Sequence, residues 1–188
     1  EKGIAHRLKD YISYNDVEIY SEAEVDQCLN QVKELTGIDY DSSQLAALKL
    51  AIHSPCSIIT GGPGTGKTTL IKGLILLHSL LHDYPLEKYI AKKEALPILL
   101  AAPTGRAAQR MSETTGLPAM TIHRMLGYTR EVRRDDAPMT EELEGSLLII
   151  DEMSMVDTWL MHWLMQAVPY QMQIVLVGDR DQLPSVGP

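Results

Sequence analysis

Between Ser57 and Thr69 the chain reads SIITGGPGTGKTT. Ser57 to Thr60 form a short apolar run of strand character, four glycines follow within six residues, and a helical pattern extends from about 67 to 82. The stretch fits G-x-x-x-x-G-K-[ST] through Gly61, Gly66, Lys67 and Thr68, in the strand–loop–helix context that gives the pattern its meaning. Glycines allow backbone N–H groups to curl around a phosphate chain at a helix N-terminus. Gly62, Pro63, Gly64, Thr65, Gly66, Lys67, Thr68 and Thr69 are therefore expected to hold a nucleotide. Lys67 would reach its β- and γ-phosphates, and the Thr68 hydroxyl would hold Mg²⁺. The plain alternative is a glycine-rich turn that merely starts a helix. With glycine near ~7% of residues, a chance match in a chain of this size is roughly a one-in-a-hundred event.

Outward from this loop the same grammar repeats. Ile98 to Ala102 (ILLAA) runs into PTGRAA, Leu147 to Ile150 (LLII) into DEMSMVD, and Gln173 to Val177 (QIVLV) into GDRDQLPSVGP. Short non-alternating apolar runs separated by helices imply a parallel sheet covered on both faces, hence an α/β fold. Each loop of unusual chemistry follows a strand, so all gather at the sheet's carboxyl edge, where open α/β sheets bind ligands. Residues 1–40 read as a helical segment preceding this unit, with a capping box at Ser21 and Glu24 and a stop at Gly37. A further helix spans about 42–53, ended by Pro55. Residues 127–146 are polar and read as an exposed connection or small hairpin.

Asp151 and Glu152 close the third of these apolar runs. Asp151 can anchor Mg²⁺ beside Thr68, and Glu152 can polarise a water as general base. An acidic pair also suits the first turn of any helix, and only its place after a phosphate loop favours chemistry. In GDRDQLP, the amide of Gln182 can hydrogen-bond a γ-phosphate, although Gly, Asp and Pro are ordinary turn residues. APTGRAAQR offers the Thr104 hydroxyl, N–H groups at a helix start, and the cations Arg106 and Arg110. Those parts suit a phosphodiester backbone; the alternative is a strand–turn–helix with an arginine face.

The chain has 188 residues and a formal charge of −8, with hydrophobic residues at 45%. That suits one folded domain with a helical appendage and argues against global disorder. No apolar run reaches the ~18 residues of a membrane span. Cys28 and Cys56 are too few for a disulfide framework, which favours the cytoplasm. The acidic total argues against nucleic acid until it is divided. Residues 61–130 carry nine basic and four acidic side chains, whereas the flanking stretches are acidic. The positive stretch is the one holding the phosphate loop and PTGRAA.

GGPGTGKTT, APTGRAA, TIHRML (Thr121 to Leu126), LLIIDEMSMVD and VLVGDRDQLPSVGP stand in the order and style of superfamily 1 helicases. Within them the set resembles RecD-like DNA helicases, the exodeoxyribonuclease V alpha subunit and its stand-alone bacterial relatives. The resemblance implies a RecA-like P-loop NTPase fold, with residues 41–188 as the first of two such motor domains. It matches Gln44 to an adenine-contacting glutamine, Lys67 and Thr68 to phosphate and Mg²⁺ residues, and Asp151 and Glu152 to Mg²⁺ ligand and base. Gln182 matches a γ-phosphate sensor. Pro103, Thr104, Gly105 and Arg106 match one single-stranded DNA contact motif, and Thr121 to His123 the next. The family's use of ATP, its 5′ to 3′ movement, and partners in repair or recombination come only with the resemblance. So does the expectation that this piece hydrolyses ATP poorly, since the second RecA-like domain and its arginine finger lie elsewhere.

The rival among enzymes is an AAA-type ATPase, which would place a polar sensor, usually Asn, where GDRDQLP starts. A rival of another class is a nucleotide- or DNA-binding module without catalysis, against which Glu152 speaks. His78 and His82 have a zinc-compatible spacing but no evident third ligand, and read as a polar helix end. Met153, Met155, Trp159, Met161, Trp163 and Met165 read as core packing, or as a surface for the second domain or a partner. His123 reads equally well as a loop residue packed under the strands.

Overall fold

The apolar runs form one parallel sheet because each is short and covered from both sides. A computed structural model of the chain describes residues 2–15, 17–62, 64–87, 90, 95–128 and 142–179. The strands are β1 (Cys56–Thr60), β2 (Ile98–Ala102), β3 (Met120–Thr121), β4 (Leu147–Ile150) and β5 (Gln173–Gly178), in spatial order β1-β5-β4-β2-β3. Every pairing is parallel. The helices are α1 (Lys2–Tyr14), α2 (Glu22–Thr36), α3 (Ser42–Ile52), α4 (Lys67–Leu81), α5 (Gly105–Thr115), α6 (Ile122–Met125) and α7 (Thr158–Ala167), with a 3₁₀ turn at Met153–Met155.

Side chains alternate across the sheet, so the central strands β2, β4 and β5 each feed two cores. Ile98, Leu100, Leu147, Ile149, Val175 and Val177 meet α2, α3, α4 and Met111 of α5. Ala101, Leu148, Ile150, Ile174 and Leu176 meet Tyr11 of α1, Ile122 of α6, and Leu160 and Leu164 of α7. The helical stretch at 1–40 is thus divided between the faces, α1 against α7 and α2 against α4. Arg7 fastens α1 to α7 by donating to the carbonyls of Met165 and Val168, both at 3.0 Å, with its guanidinium 4.1 Å over the Tyr170 ring. Of the Met/Trp set, Met165 is buried, the two tryptophans and Met161 pack on this second core, and Met155 is exposed.

Helix starts follow local chemistry. Ser21 with Glu24 and Asp41 with Gln44 form capping boxes on α2 and α3. Thr104, Thr121 and Asp157 cap α5, α6 and α7 through their side-chain oxygens. Helix α4 is different. It starts at Gly66, in the left-handed region, without a side-chain cap, so its first N–H groups point into the loop with no local acceptor of that kind. Among the described residues no helix is long and apolar enough to cross a membrane.

His78 is no polar helix end. It is wholly buried, its Nδ1 hydrogen-bonded to the Tyr84 hydroxyl and its ring 4.0 Å from that of His82. Burial, helped by His82 alongside, pushes its pKa down to about 3. Among the described residues no three His, Cys, Asp or Glu side chains gather as a metal cluster.

Candidate functional site

The loop after β1 is held open by two glycines at positive φ, Gly64 at 77° and Gly66 at 79°. A side chain at Gly66 would also collide with its neighbour, since a Cβ there would lie 2.7 Å from Gln44 Nε2. Gly61 N–H continues the sheet by donating to Gly178 at 3.3 Å, and Thr65 closes the turn by donating its hydroxyl to the Gly62 carbonyl at 2.8 Å. The Lys67 ammonium lies across the hollow of the loop, donating to the carbonyls of Gly61 and Gly62. Thr68 and Thr69 follow in the first turn of α4. Pro63 lies outside the described residues.

Asp151 leaves the end of β4, its N–H donating to Ala101 at 3.0 Å. Its Oδ1 accepts the N–H of Glu152 at 2.8 Å, and Glu152 stands at φ 56°, ψ 40°, a conformation that costs a residue with a Cβ about 1–2 kcal/mol. Strained backbone of this kind collects where a side chain must be aimed. Strand β5 lies between β1 and β4, so the phosphate loop and the acidic pair face each other across Gly178 and Asp179.

Together they enclose a cleft of about 480 Å³ lined by Gly64–Thr68, Asp151, Glu152, Gly178 and Asp179, with a further wall from α5. Thr68 and Asp151 bring a hydroxyl and a carboxylate oxygen to it, the hard donors that Mg²⁺ takes alongside phosphates and water. On the other side of Lys67 a second hollow of about 370 Å³ is bordered by Gln44, Ala47, Leu50, Ile58 and Thr60. Leu50 and Ile58 are exposed there, 62% and 69%, beside the Gln44 amide. Gln44 also has a local duty absent from the sequence reading, as its Oε1 accepts the Asp41 N–H at 3.1 Å. The Asp-x-x-Gln spacing carried that signal.

The remaining candidates form the opposite end of the carboxyl edge. The register Ala102↔Thr121 sets the loop after β2 beside the loop after β3, and so brings Pro103, Thr104, Gly105 and Arg106 alongside Thr121 and His123. Thr104 Oγ1 accepts from Ala107 N–H and Thr121 Oγ1 from Arg124 N–H, both at 3.2 Å. Among the described residues neither hydroxyl donates a hydrogen bond, which leaves each proton available to an external acceptor. Arg106 and His123 are exposed. It is Ile122, not His123, that packs under the strands, and the His123 ring instead meets Tyr128 edge-on at 6.3 Å. Arg110 parts company with Arg106 and lines the cleft beside Lys67. Gln182 and most of the 127–146 connection fall outside the described residues.

A phosphate loop after β1 and an acidic pair after β4, with a third strand between them in a parallel sheet, define a RecA-like P-loop domain. The sequence profile of the AAA_19 family, described as an AAA domain, matches residues 44–188. The chain belongs to that family, and its relatives make it a RecD-like superfamily 1 motor domain. It is 38% identical over 172 residues to the RecBCD enzyme subunit RecD of Mycolicibacterium smegmatis, covering 82% of this chain and 30% of that one. It is 43% identical over 129 residues to the ATP-dependent RecD2 DNA helicase of Deinococcus radiodurans, covering 69% of this chain and 16% of the relative. The chain thus spans less than a third of the length of these curated relatives. The crystal structure of Pif1 helicase from Candida albicans is similar at a TM-score of 0.52 and 28% identity, over 79% of this chain and 34% of that chain. Bacteroides Pif1 helicase, in complex with ADP-AlF3 and single-stranded DNA, shares the fold at a TM-score of 0.50 and 24% identity, over the same 79% and 34%.

Proposed function

We propose that this chain is the ATP-binding first motor domain of a DNA helicase that translocates 5′ to 3′ on single-stranded DNA. One observation carries the reading: Lys67, Thr68, Asp151 and Glu152, drawn from two non-adjacent strands, line a single cleft. The α4 N-terminus and the loop N–H groups bind the β-phosphate, and Lys67 exchanges its loop carbonyls for phosphate oxygens. Thr68 and Asp151 would hold Mg²⁺, which would supply positive charge to offset that of the phosphates. Glu152 takes the proton of the attacking water. Gln44, with Leu50 and Ile58 beside its amide, suits the edge and face of adenine. Gln182 would sense the γ-phosphate.

DNA phosphates lie along the edge formed by Pro103, Thr104, Gly105, Arg106, Thr121 and His123, held by hydroxyls, helix-start N–H groups and a cation, without base reading. A second RecA-like domain of the same polypeptide closes over ATP and supplies an arginine worth about 10³ to 10⁵ in rate. The partners are DNA and proteins of repair or recombination. Unpaired Cys28 and Cys56 fit the cytoplasm.

The test is ATP hydrolysis with and without single-stranded DNA, on this chain and on a polypeptide carrying both motor domains. The longer protein should be DNA-stimulated and should lose activity in Lys67→Ala and Glu152→Gln, while the present chain turns over slowly. Normal unwinding by either variant would overturn the assigned roles.

A further inference from the structure

One wall of the cleft comes from α5 instead of from the phosphate loop or the acidic pair. Ala107, Arg110, Met111 and Thr114 recur at helical spacing on one face of α5 and line the same space as Lys67 and Asp151. Ala107 and Met111 are buried, which sets the rotation of the helix. Arg110 is exposed, and among the described residues its guanidinium makes no hydrogen bond or ion pair. The neighbouring Gln109, by contrast, is engaged with Glu113 at 2.9 Å.

Sheet order gives the cleft a direction. The phosphate loop follows β1, Asp179 follows β5, Asp151 and Glu152 follow β4, and α5 follows β2, in that spatial sequence. A polyphosphate anchored at the α4 N-terminus and extending toward the acidic pair therefore ends facing α5. Charge points the same way. Without Arg110 the cleft would set Lys67 alone against Asp151, Glu152 and Asp179, a poor host for so highly anionic a group as a nucleoside triphosphate even with one divalent cation. Arginine is also the side chain whose planar fork matches phosphate oxygens two at a time.

We propose that Arg110 is a ligand of the terminal phosphate of the bound nucleotide and makes the cleft prefer tri- over diphosphate. This rests on the nucleotide reading above and adds to it a residue from the motif otherwise matched to DNA contact. Because Thr104 and Arg106 begin the same helix, a strand held there and a phosphate held at Arg110 would bear on one rigid element.

Equilibrium binding of fluorescent N-methylanthraniloyl ADP and the corresponding imidotriphosphate, each with Mg²⁺, tests it on this chain. Arg110→Ala should weaken the triphosphate analogue about tenfold or more, as expected for losing a hydrogen bond to a charged group, and change ADP less than twofold. Arg110→Lys should fall between, and Gln109→Ala should match the unsubstituted chain. Equal weakening of both nucleotides by Arg110→Ala, no weakening, or a loss confined to binding of an oligo-dT strand would overturn the assignment. Lys67→Ala should weaken both nucleotides. Failure of the unsubstituted chain to bind either would overturn the nucleotide reading itself and Arg110 with it.

Discussion

Glu152 donates its backbone N–H to Oδ1 of Asp151 at 2.8 Å while its own backbone sits at φ 56°. The bond turns the chain sharply off the end of β4 and sends two consecutive carboxylates into one cleft. Glu152→Gly should remove the left-handed strain and stabilise the fold by about 1 kcal/mol relative to Glu152→Ala. Urea denaturation of the two variants checks this. A glycine variant no more stable than the alanine one would mean that the turn stores no such strain.

Gly73 of α4 lies beneath Tyr40, where an added Cβ would come 2.5 Å from the hydroxyl oxygen and 2.8 Å from Cζ. Tyr40 is itself fixed, donating to the Thr69 carbonyl at 3.2 Å. Alanine would improve helix propensity by about 1 kcal/mol, but overpacking costs about 1–3. Gly73→Ala should therefore be destabilising in the native background and stabilising in a Tyr40→Ala background. Thermal melts of the double-mutant cycle give the sign in each.

Arg7 joins α1 to the end of α7 through two carbonyls and the Tyr170 ring. Arg7→Met should cost about 1–3 kcal/mol by leaving those carbonyls without their charged donor. It should also speed proteolysis within residues 2–14. Chemical denaturation and limited digestion read the two effects separately.

His78 makes stability depend on pH. The folded chain holds it neutral because burial pushes its pKa down to about 3, whereas the unfolded chain takes up a proton below about 6.5. Its contribution is therefore complete above pH 6.5 and lost progressively as pH falls toward 3. Between pH 7 and 5 this amounts to about 2 kcal/mol. Urea midpoints measured across that interval should fall for the native chain and fall less for His78→Phe. Parallel slopes would show that the proton uptake lies elsewhere.

Much of the site was legible because its chemistry is local. The glycines of the phosphate loop, the Ser21 capping box and the break after Ile150 each depend on residues within about four positions. His78 misled because helical spacing shows a pair of histidines without showing that Tyr84 folds back over one of them. Strand β3 escaped notice because two residues carry no period. Within LLII and ILLAA, moreover, no polar residue marks which side chains face which core.

Hydrogen-bonding capacity and backbone freedom belong to neighbouring residues, so the phosphate loop, the acidic pair, the Ser21 capping box and the parallel α/β class could all be read along the chain. Folding alone settled that β5 separates the loop from the acids, that Gln44 abuts Gly66, and that Arg110 lines the cleft beside Lys67 while Arg106 remains outside it. Those relations join residues 20 to more than 100 positions apart. They are settled by how two buried faces of one sheet are shared among helices, which a linear pattern does not encode.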